Sequence, residues 1–172
     1  LTQGQQRRHD VLEVARSHGI LLLEDDPYGL LGFDGVVPRA IRADEAEGVV
    51  YLGSFSKTIA SGLRVGWAIG PPFLISRMKD FLGHVGAWAP RPEQVATAEL
   101  FADPALVQTL SGAIREGVNV RLAALDRGLK RLAVKGYPVK HLPPTGALYL
   151  SVHFDLIRPG GQFENNRSLR QF

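Results

Sequence analysis

The sequence predicts an α/β fold, a mostly parallel sheet with helices packed on it, followed by an incomplete, smaller α+β unit. Two observations carry this. The short apolar runs Ile20 to Leu23, Val49 to Gly53 and Leu63 to Ile69 lack the polar alternation of a half-solvated strand, so they read as strands buried on both faces. Helical periodicity stands before the first run and returns after the third.

Taken in order, Thr2 and Gln5 have the spacing of a capping box. Val11, Leu12 and Ala15 then form an apolar stripe that Gly19 ends, predicting a helix from Gln5 to about His18. The first strand, Ile20 to Leu23, leaves Asp25 at its carboxyl end, and the glycine-rich stretch Pro27 to Pro38 reads as loop. The second strand, Val49 to Gly53, runs into Ser54-Phe55-Ser56-Lys57, and the third closes at Ile69. Pro71 and Pro72 stop one element and start a helix over Phe73 to Val85, and Pro90, Pro92 and Pro104 punctuate the chain beyond it. The series Leu106, Leu110, Ile114, Val118, Leu122, Leu125, Leu129, Leu132 holds one helix face for about seven turns, a length that suits an element joining two units. Val139 to Leu142 and Ala147 to Val152, separated by Pro143-Pro144-Thr145-Gly146, predict a strand pair. The expected division is 1–104 for the partial large domain, 105–132 for the long helix and 133–172 for a truncated small domain.

Composition excludes several classes. With 45% hydrophobic and 22% charged residues, the 172-residue chain can bury a core and is neither disordered nor collagenous. The 20 basic residues exceed the 17 acidic ones by only 3, and they are scattered, so neither nucleic acid nor an anionic membrane is expected as a partner. No cysteine is present, which removes disulfides, thiolate metal sites and cysteine nucleophiles and fits a cytoplasmic location. No apolar run approaches the ~20 residues of a membrane span, and no basic-then-apolar leader opens the chain. The opening residue is Leu1 rather than Met, from which an N-terminal part is expected to be missing.

Two clusters carry chemistry, each at the carboxyl end of a predicted strand, where open α/β sheets place their ligand crevices. One is Glu24-Asp25-Asp26-Pro27-Tyr28-Gly29. The other is Ser54-Phe55-Ser56-Lys57, followed by Gly62-Leu63-Arg64-Val65-Gly66-Trp67. A lysine just beyond a buried strand can lose its proton to desolvation and add to a carbonyl. The planar fork of Arg64 suits a phosphate, with the hydroxyls of Ser54 and Ser56 on the same side. Asp25 can keep a heterocyclic nitrogen protonated, and Tyr28 offers a phenol to a ring oxygen. Lysine, carboxylate, phenol and phosphate clamp together describe a site for pyridoxal 5'-phosphate.

In this order and spacing, the clusters resemble those of fold type I pyridoxal-phosphate enzymes, the class I/II aminotransferases. The form Glu-Asp-Asp-Pro-Tyr-Gly is most similar to the aromatic and 2-aminoadipate branch and to the related domains fused to bacterial transcription regulators. Pro144-Thr145-Gly146-Ala147-Leu148-Tyr149 resembles the start of the family's small domain. The resemblance implies that Lys57 joins the cofactor as an imine and shuttles the substrate proton, that Asp25 pairs with the pyridinium nitrogen, and that Tyr28 binds the phenolic oxygen. Ser54 and Arg64, with Ser56 as helper, would bind phosphate. Asp25 is preferred to Asp26 because the family's acid precedes its tyrosine by three positions. The resemblance further implies amino acid and 2-oxo acid substrates, a homodimer, and a substrate-carboxylate arginine for which Arg170 is the candidate.

The family's upstream phosphate-binding helix start, ring-stacking aromatic residue and Asn-Pro-x-Gly turn are not in the sequence, and its small domain is compressed after Val152. The chain therefore reads as the second half of such an enzyme, expected to be poorly active or inactive alone. Two other classes compete. One is a non-catalytic pyridoxal-phosphate-binding domain from a transcription regulator. The other is a serine hydrolase in which Ser54-Phe55-Ser56-Lys57 serves as a Ser-x-x-Lys string. No metal site is expected. Adjacent Glu24, Asp25 and Asp26 point to alternating faces of a strand, and His9, His18, His84, His141 and His153 have no ligand spacing. Trp67 and Trp88 are read as packing.

Overall fold

The computed structural model describes residues 4–155. Helix α1 (Gln5–Ser17) leads to strand β1 (Leu22–Asp25), then β2 (Val49–Ser54) and β3 (Gly66–Ile69). Helices α2 (Pro72–Val85), α3 (Arg91–Phe101) and α4 (Pro104–Val134) come next, and strands β4 (Val139–His141) and β5 (Val152–Phe154) close the described chain.

The expected helix after residue 4 is present, but its N-cap is Gly4, and no side chain caps it; Thr2 lies outside the described residues. The helix ends in a Schellman motif. Gly19 adopts φ +61°, the Ile20 N–H reaches back to the Ala15 carbonyl (2.9 Å), and the Gly19 N–H reaches Arg16 (3.2 Å). This motif moves the first strand. Ile20 is committed to the helix cap, so pairing starts at Leu22, two residues later than the apolar run suggests.

β1 and β2 are parallel, with Leu22 opposite Val49 and Asp25 opposite Leu52. β2 and β3 are antiparallel, with Ser54 opposite Gly66. The expected parallel run therefore stops at β2. A parallel return needs a crossover, usually a helix, and residues 55–65 form a tight loop instead. Burial on both faces is also not observed for β1: Leu22 packs inward while Leu23 is 61% exposed. Among the described residues, only one face of this strand is covered.

That covered face holds the core. Leu12 of α1, Ile41, Val49 and Leu22 pack together, with Val49 fully buried; Val50, on the other face of β2, is fully buried as well. Each such valine contributes roughly 1.5–3 kcal/mol by leaving water. Glu24 anchors the arrangement from the end of β1. Its buried carboxylate accepts the Ile41 and Arg42 N–H groups (3.0 and 3.1 Å) and a bond from Arg8 (3.4 Å).

Asp103 caps α4 by accepting the Ala105 and Leu106 N–H groups (3.0 and 3.1 Å), with Pro104 at the first helical position. The helix spans 31 residues, slightly more than its apolar stripe predicts. The stripe is buried only in its second half, at Leu122 and Leu129, whereas Leu106 and Leu125 remain exposed. There α4 also holds β4: His141 Nε2 lies 2.8 Å from Asp126 Oδ1, and Lys130 pairs with Oδ2 (2.7 Å). The structural reading of His141 agrees with this.

The predicted strand Ala147 to Val152 is not formed as such. Thr145 to Ala147 pair instead with the loop after Tyr28, through Phe33 N–H to Thr145 (3.0 Å) and Ala147 N–H to Leu31 (3.1 Å). Ala147 has φ +59°, and pairing with β4 begins only at Val152.

Candidate active site

Residues opposite each other on a ladder share a face, and successive residues alternate. The register therefore puts Asp25, Leu52 and Ser54 on one face, and Glu24 and Tyr51 on the other, with α1. Asp26 continues the alternation: its N–H bonds to Leu52 (2.9 Å) and its carboxylate accepts the Tyr51 hydroxyl (3.2 Å). Burial, with help from the Asp26 charge, pushes the Tyr51 phenol up to about 12. Asp26 also wedges into the following turn, where a Cβ on Gly29 would lie 2.2 Å from its Oδ2. Asp25, on the opposite face, is exposed. Strand spacing and rise set its Cα ~8 Å from that of Ser54.

Beyond β2 the chain folds into a compact turn. Ser54 Oγ accepts the Ser56 N–H (3.2 Å), the Thr58 hydroxyl donates to the Ser54 carbonyl (3.2 Å), and the Ile59 and Ala60 N–H groups converge on Phe55. The Phe55 ring lies between Trp67 and Phe101, with centroids at 4.4 and 4.5 Å, which ties the turn to β3 and α3. Arg64 occupies the left-handed region (φ 54°, ψ 28°), costly for a non-glycine residue, and its guanidinium donates to Ser56 Oγ (3.4 Å). Ser54, Ser56 and Arg64 are thus brought together. Lys57, in the same turn, is exposed, so the burial expected to desolvate it is not provided by the described residues. No direct contact joins Lys57 to Asp25 among those residues. Arg170 lies outside them.

Tyr28 follows β1 and opens a short 3-10 turn at Gly29–Leu31. Together with Asp25, Asp26 and Gly32 it lines a cleft of about 330 Å³, closed on the other side by Thr145 and Gly146. The Tyr28 ring meets that of Tyr149 edge to face, centroids 5.8 Å apart. Hydrogen bonding with the Tyr149 hydroxyl, then burial and the Tyr149 and Asp25 charges, raises the Tyr28 phenol above its ordinary value. Tyr149 is the residue that sequence reasoning missed. It stands in the Pro144–Tyr149 segment already singled out, but no spacing rule links it to a tyrosine so far upstream.

An acid and a Ser-x-Ser-Lys turn at the carboxyl ends of adjacent parallel strands define an α/β protein with its ligand crevice at the strand ends. The sequence matches the family model "Aminotransferase class I and II" over residues 6–159, and the chain belongs to that family. It is 31% identical over 161 residues to the uncharacterized HTH-type transcriptional regulator YisV of Bacillus subtilis, covering 93% of this chain and 33% of that protein. It is 39% identical over 80 residues to aromatic-amino-acid aminotransferase 1 of Thermococcus litoralis, covering 46% of this chain and 19% of that one. Its fold superposes on the Pyrococcus horikoshii kynurenine aminotransferase, solved with PMP, with a TM-score of 0.78 and 30% identity. That match covers 88% of this chain and 37% of the other. The chain spans about a third of the length of the first of these curated relatives. The expected α/β aminotransferase fold is the one observed. Among the described residues, no helix is long and apolar enough to cross a membrane.

Proposed function

We propose that this chain carries the cofactor-binding residues of a pyridoxal-phosphate-dependent aminotransferase, which moves an amino group from an amino acid to a 2-oxo acid. The observation that carries the reading is the shared face of Asp25 and Ser54, with the Lys57 turn and Arg64 gathered beyond Ser54. The donor set fits the group. Ser54 Oγ accepts from the backbone and so keeps its own proton for a phosphate oxygen, and the Arg64 fork is anchored beside Ser56. Asp25 is a carboxylate with open space before it, whereas Asp26 is spent on Tyr51.

When bound, pyridoxal 5'-phosphate supplies an electron sink for charge developing at the substrate's α-carbon. Asp25 would hold the proton on the ring nitrogen. Lys57 would be the residue that holds the cofactor through Nζ, and the same Nζ would carry a proton. Tyr28 would donate to the ring oxygen, Ser54, Ser56 and Arg64 would grip the phosphate, and Arg170 is the candidate for the substrate carboxylate. The proposal includes a cytoplasmic homodimer, with 1–104 as part of the large domain, 105–132 as the joint and 133–172 as part of the small domain.

The test is absorbance. The full-length protein, supplied with pyridoxal phosphate, should develop a band near the visible edge that Lys57→Ala abolishes; a band that survives the substitution overturns the assignment. The YisV relative, matched along most of this chain, favours a second reading as the cofactor-binding part of a regulator. Release of the 2-oxo acid from an amino acid added to the full-length protein separates the two, since only the aminotransferase releases it. The Ser-x-x-Lys hydrolase is not supported: Ser54 ends a strand rather than opening a helix.

A further inference from the structure

We propose that Tyr149 is a positioning residue that acts through Tyr28, its hydroxyl backing the Tyr28 phenol so that Tyr28 presents its single proton to the cofactor's ring oxygen. This rests on the reading above and adds to it a residue from the far end of the chain.

The backbone brings the two tyrosines together by a route with little slack. Thr145, Gly146 and Ala147 run against Leu31, Gly32 and Phe33, bonded at 3.0 and 3.1 Å on either side of a Gly32–Gly146 bridge. Both glycines are needed there. A Cβ on Gly146 would lie 2.8 Å from the Leu31 carbonyl oxygen, and one on Gly32 2.9 Å from that of Val36. Ala147 then takes φ +59°, and two residues later the Tyr149 ring stands edge-on to Tyr28, the planes at 89°. Tyr149 is 67% exposed, so little packing depends on it, and its polar end is what remains to be explained.

Proton inventory supplies the explanation. A phenol has one proton to donate and lone pairs to accept with. Without another acceptor, Tyr28 can give its proton to Tyr149, which agrees with the raised Tyr28 phenol. Facing a ring oxygen, Tyr28 turns its proton there and Tyr149 donates into the oxygen left behind. Such chained bonds strengthen one another. The other charged groups around this cleft are Asp25, Asp26, Asp34 and Arg8.

The experiment is an NMR titration of protein labelled at the hydroxyl-bearing tyrosine carbon, with signals assigned by Phe substitutions, beside a pH titration of the cofactor band. Tyr149→Phe keeps the ring contact and removes only the hydroxyl. Tyr28 should then ionise at lower pH without cofactor. With cofactor, the band's midpoint should move to higher pH, in the same direction as Tyr28→Phe but less far, because a weaker donor leaves more charge on the ring oxygen. In a Tyr28→Phe background, Tyr149→Phe should add nothing. An unchanged Tyr28 titration, or an equal midpoint shift in the Tyr28→Phe background, overturns the proposal. A missing band in the unsubstituted protein instead sinks the cofactor reading and with it the cofactor role of both tyrosines, while the NMR titration still reports on the pair.

Discussion

Glu24 and Asp25 are adjacent, yet replacing them should register in different assays. The Glu24 carboxylate is buried and accepts the Ile41 and Arg42 N–H groups and one Arg8 bond. Glu24→Ala leaves two shielded backbone donors unpaired, at ~1–3 kcal/mol each, and strips Arg8 of its counter-charge. Arg8 keeps a bond to the Arg39 carbonyl (2.8 Å), which limits that last loss. The total comes to about 3–5 kcal/mol, a large part of the ~5–15 kcal/mol by which domains are stable. The urea midpoint, tracked by circular dichroism, should fall with an unchanged slope, and Glu24→Gln, which keeps one acceptor, should recover part of the loss. Asp25 is exposed, and among the described residues its carboxylate makes no side-chain hydrogen bond or ion pair. Asp25→Ala should therefore stay within ~0.5 kcal/mol of the parent while losing the cofactor band. The reasoning fails if Glu24→Ala costs under ~1 kcal/mol, or if Asp25→Ala lowers the midpoint as much.

Two further outcomes are expected. Asp126 is held below its ordinary value of 3.8 by Lys130 first and His141 second. Its contribution to stability is complete above that ordinary value and lost as pH falls through the lowered one, so Asp126→Asn should flatten the acid limb of a stability-against-pH curve. An unchanged limb would show that the cluster contributes nothing there. Gly146→Ala forces a Cβ against the Leu31 carbonyl and should cost ~1–3 kcal/mol. Faster hydrogen exchange at the Ala147 amide, whose bond to Leu31 must lengthen, would report the local strain; unaltered protection would show that the bridge yields without cost.

Much of this fold was legible because its signals are local. Val49 to Gly53 reads as a buried strand from composition alone, and Pro104 with the leucine stripe from Leu106 locates α4 closely. The start of β1 was not legible, since Ile20 looks like strand by hydropathy but is taken by the α1 cap. The direction of β3 depends on what the 55–65 turn does, and apolarity carries no sign of parallel or antiparallel. Ala147 to Val152 misled for a related reason. An apolar run states that a segment wants cover, not which neighbour supplies it, and here the loop after Tyr28 pairs first. The Tyr28–Tyr149 contact is long-range in the same sense.

The order of three acids explains why the candidate site lies where it does. In a pleated strand Glu24, Asp25 and Asp26 must alternate, and each face gives its acid a different task. Glu24 turns towards α1 and is consumed by backbone donors, Asp26 turns the same way and is consumed by Tyr51, and Asp25 alone faces the side that carries Ser54. The two satisfied carboxylates fix the strand end from behind, so the third is presented with no side-chain bond among the described residues. A one-residue slip of β1 against β2 would exchange these roles and offer Glu24 or Asp26 to the ligand. The Leu22–Val49 register, locked by the buried core on the α1 side, prevents it. Stability on one face of the sheet thereby sets which carboxylate is available for chemistry on the other.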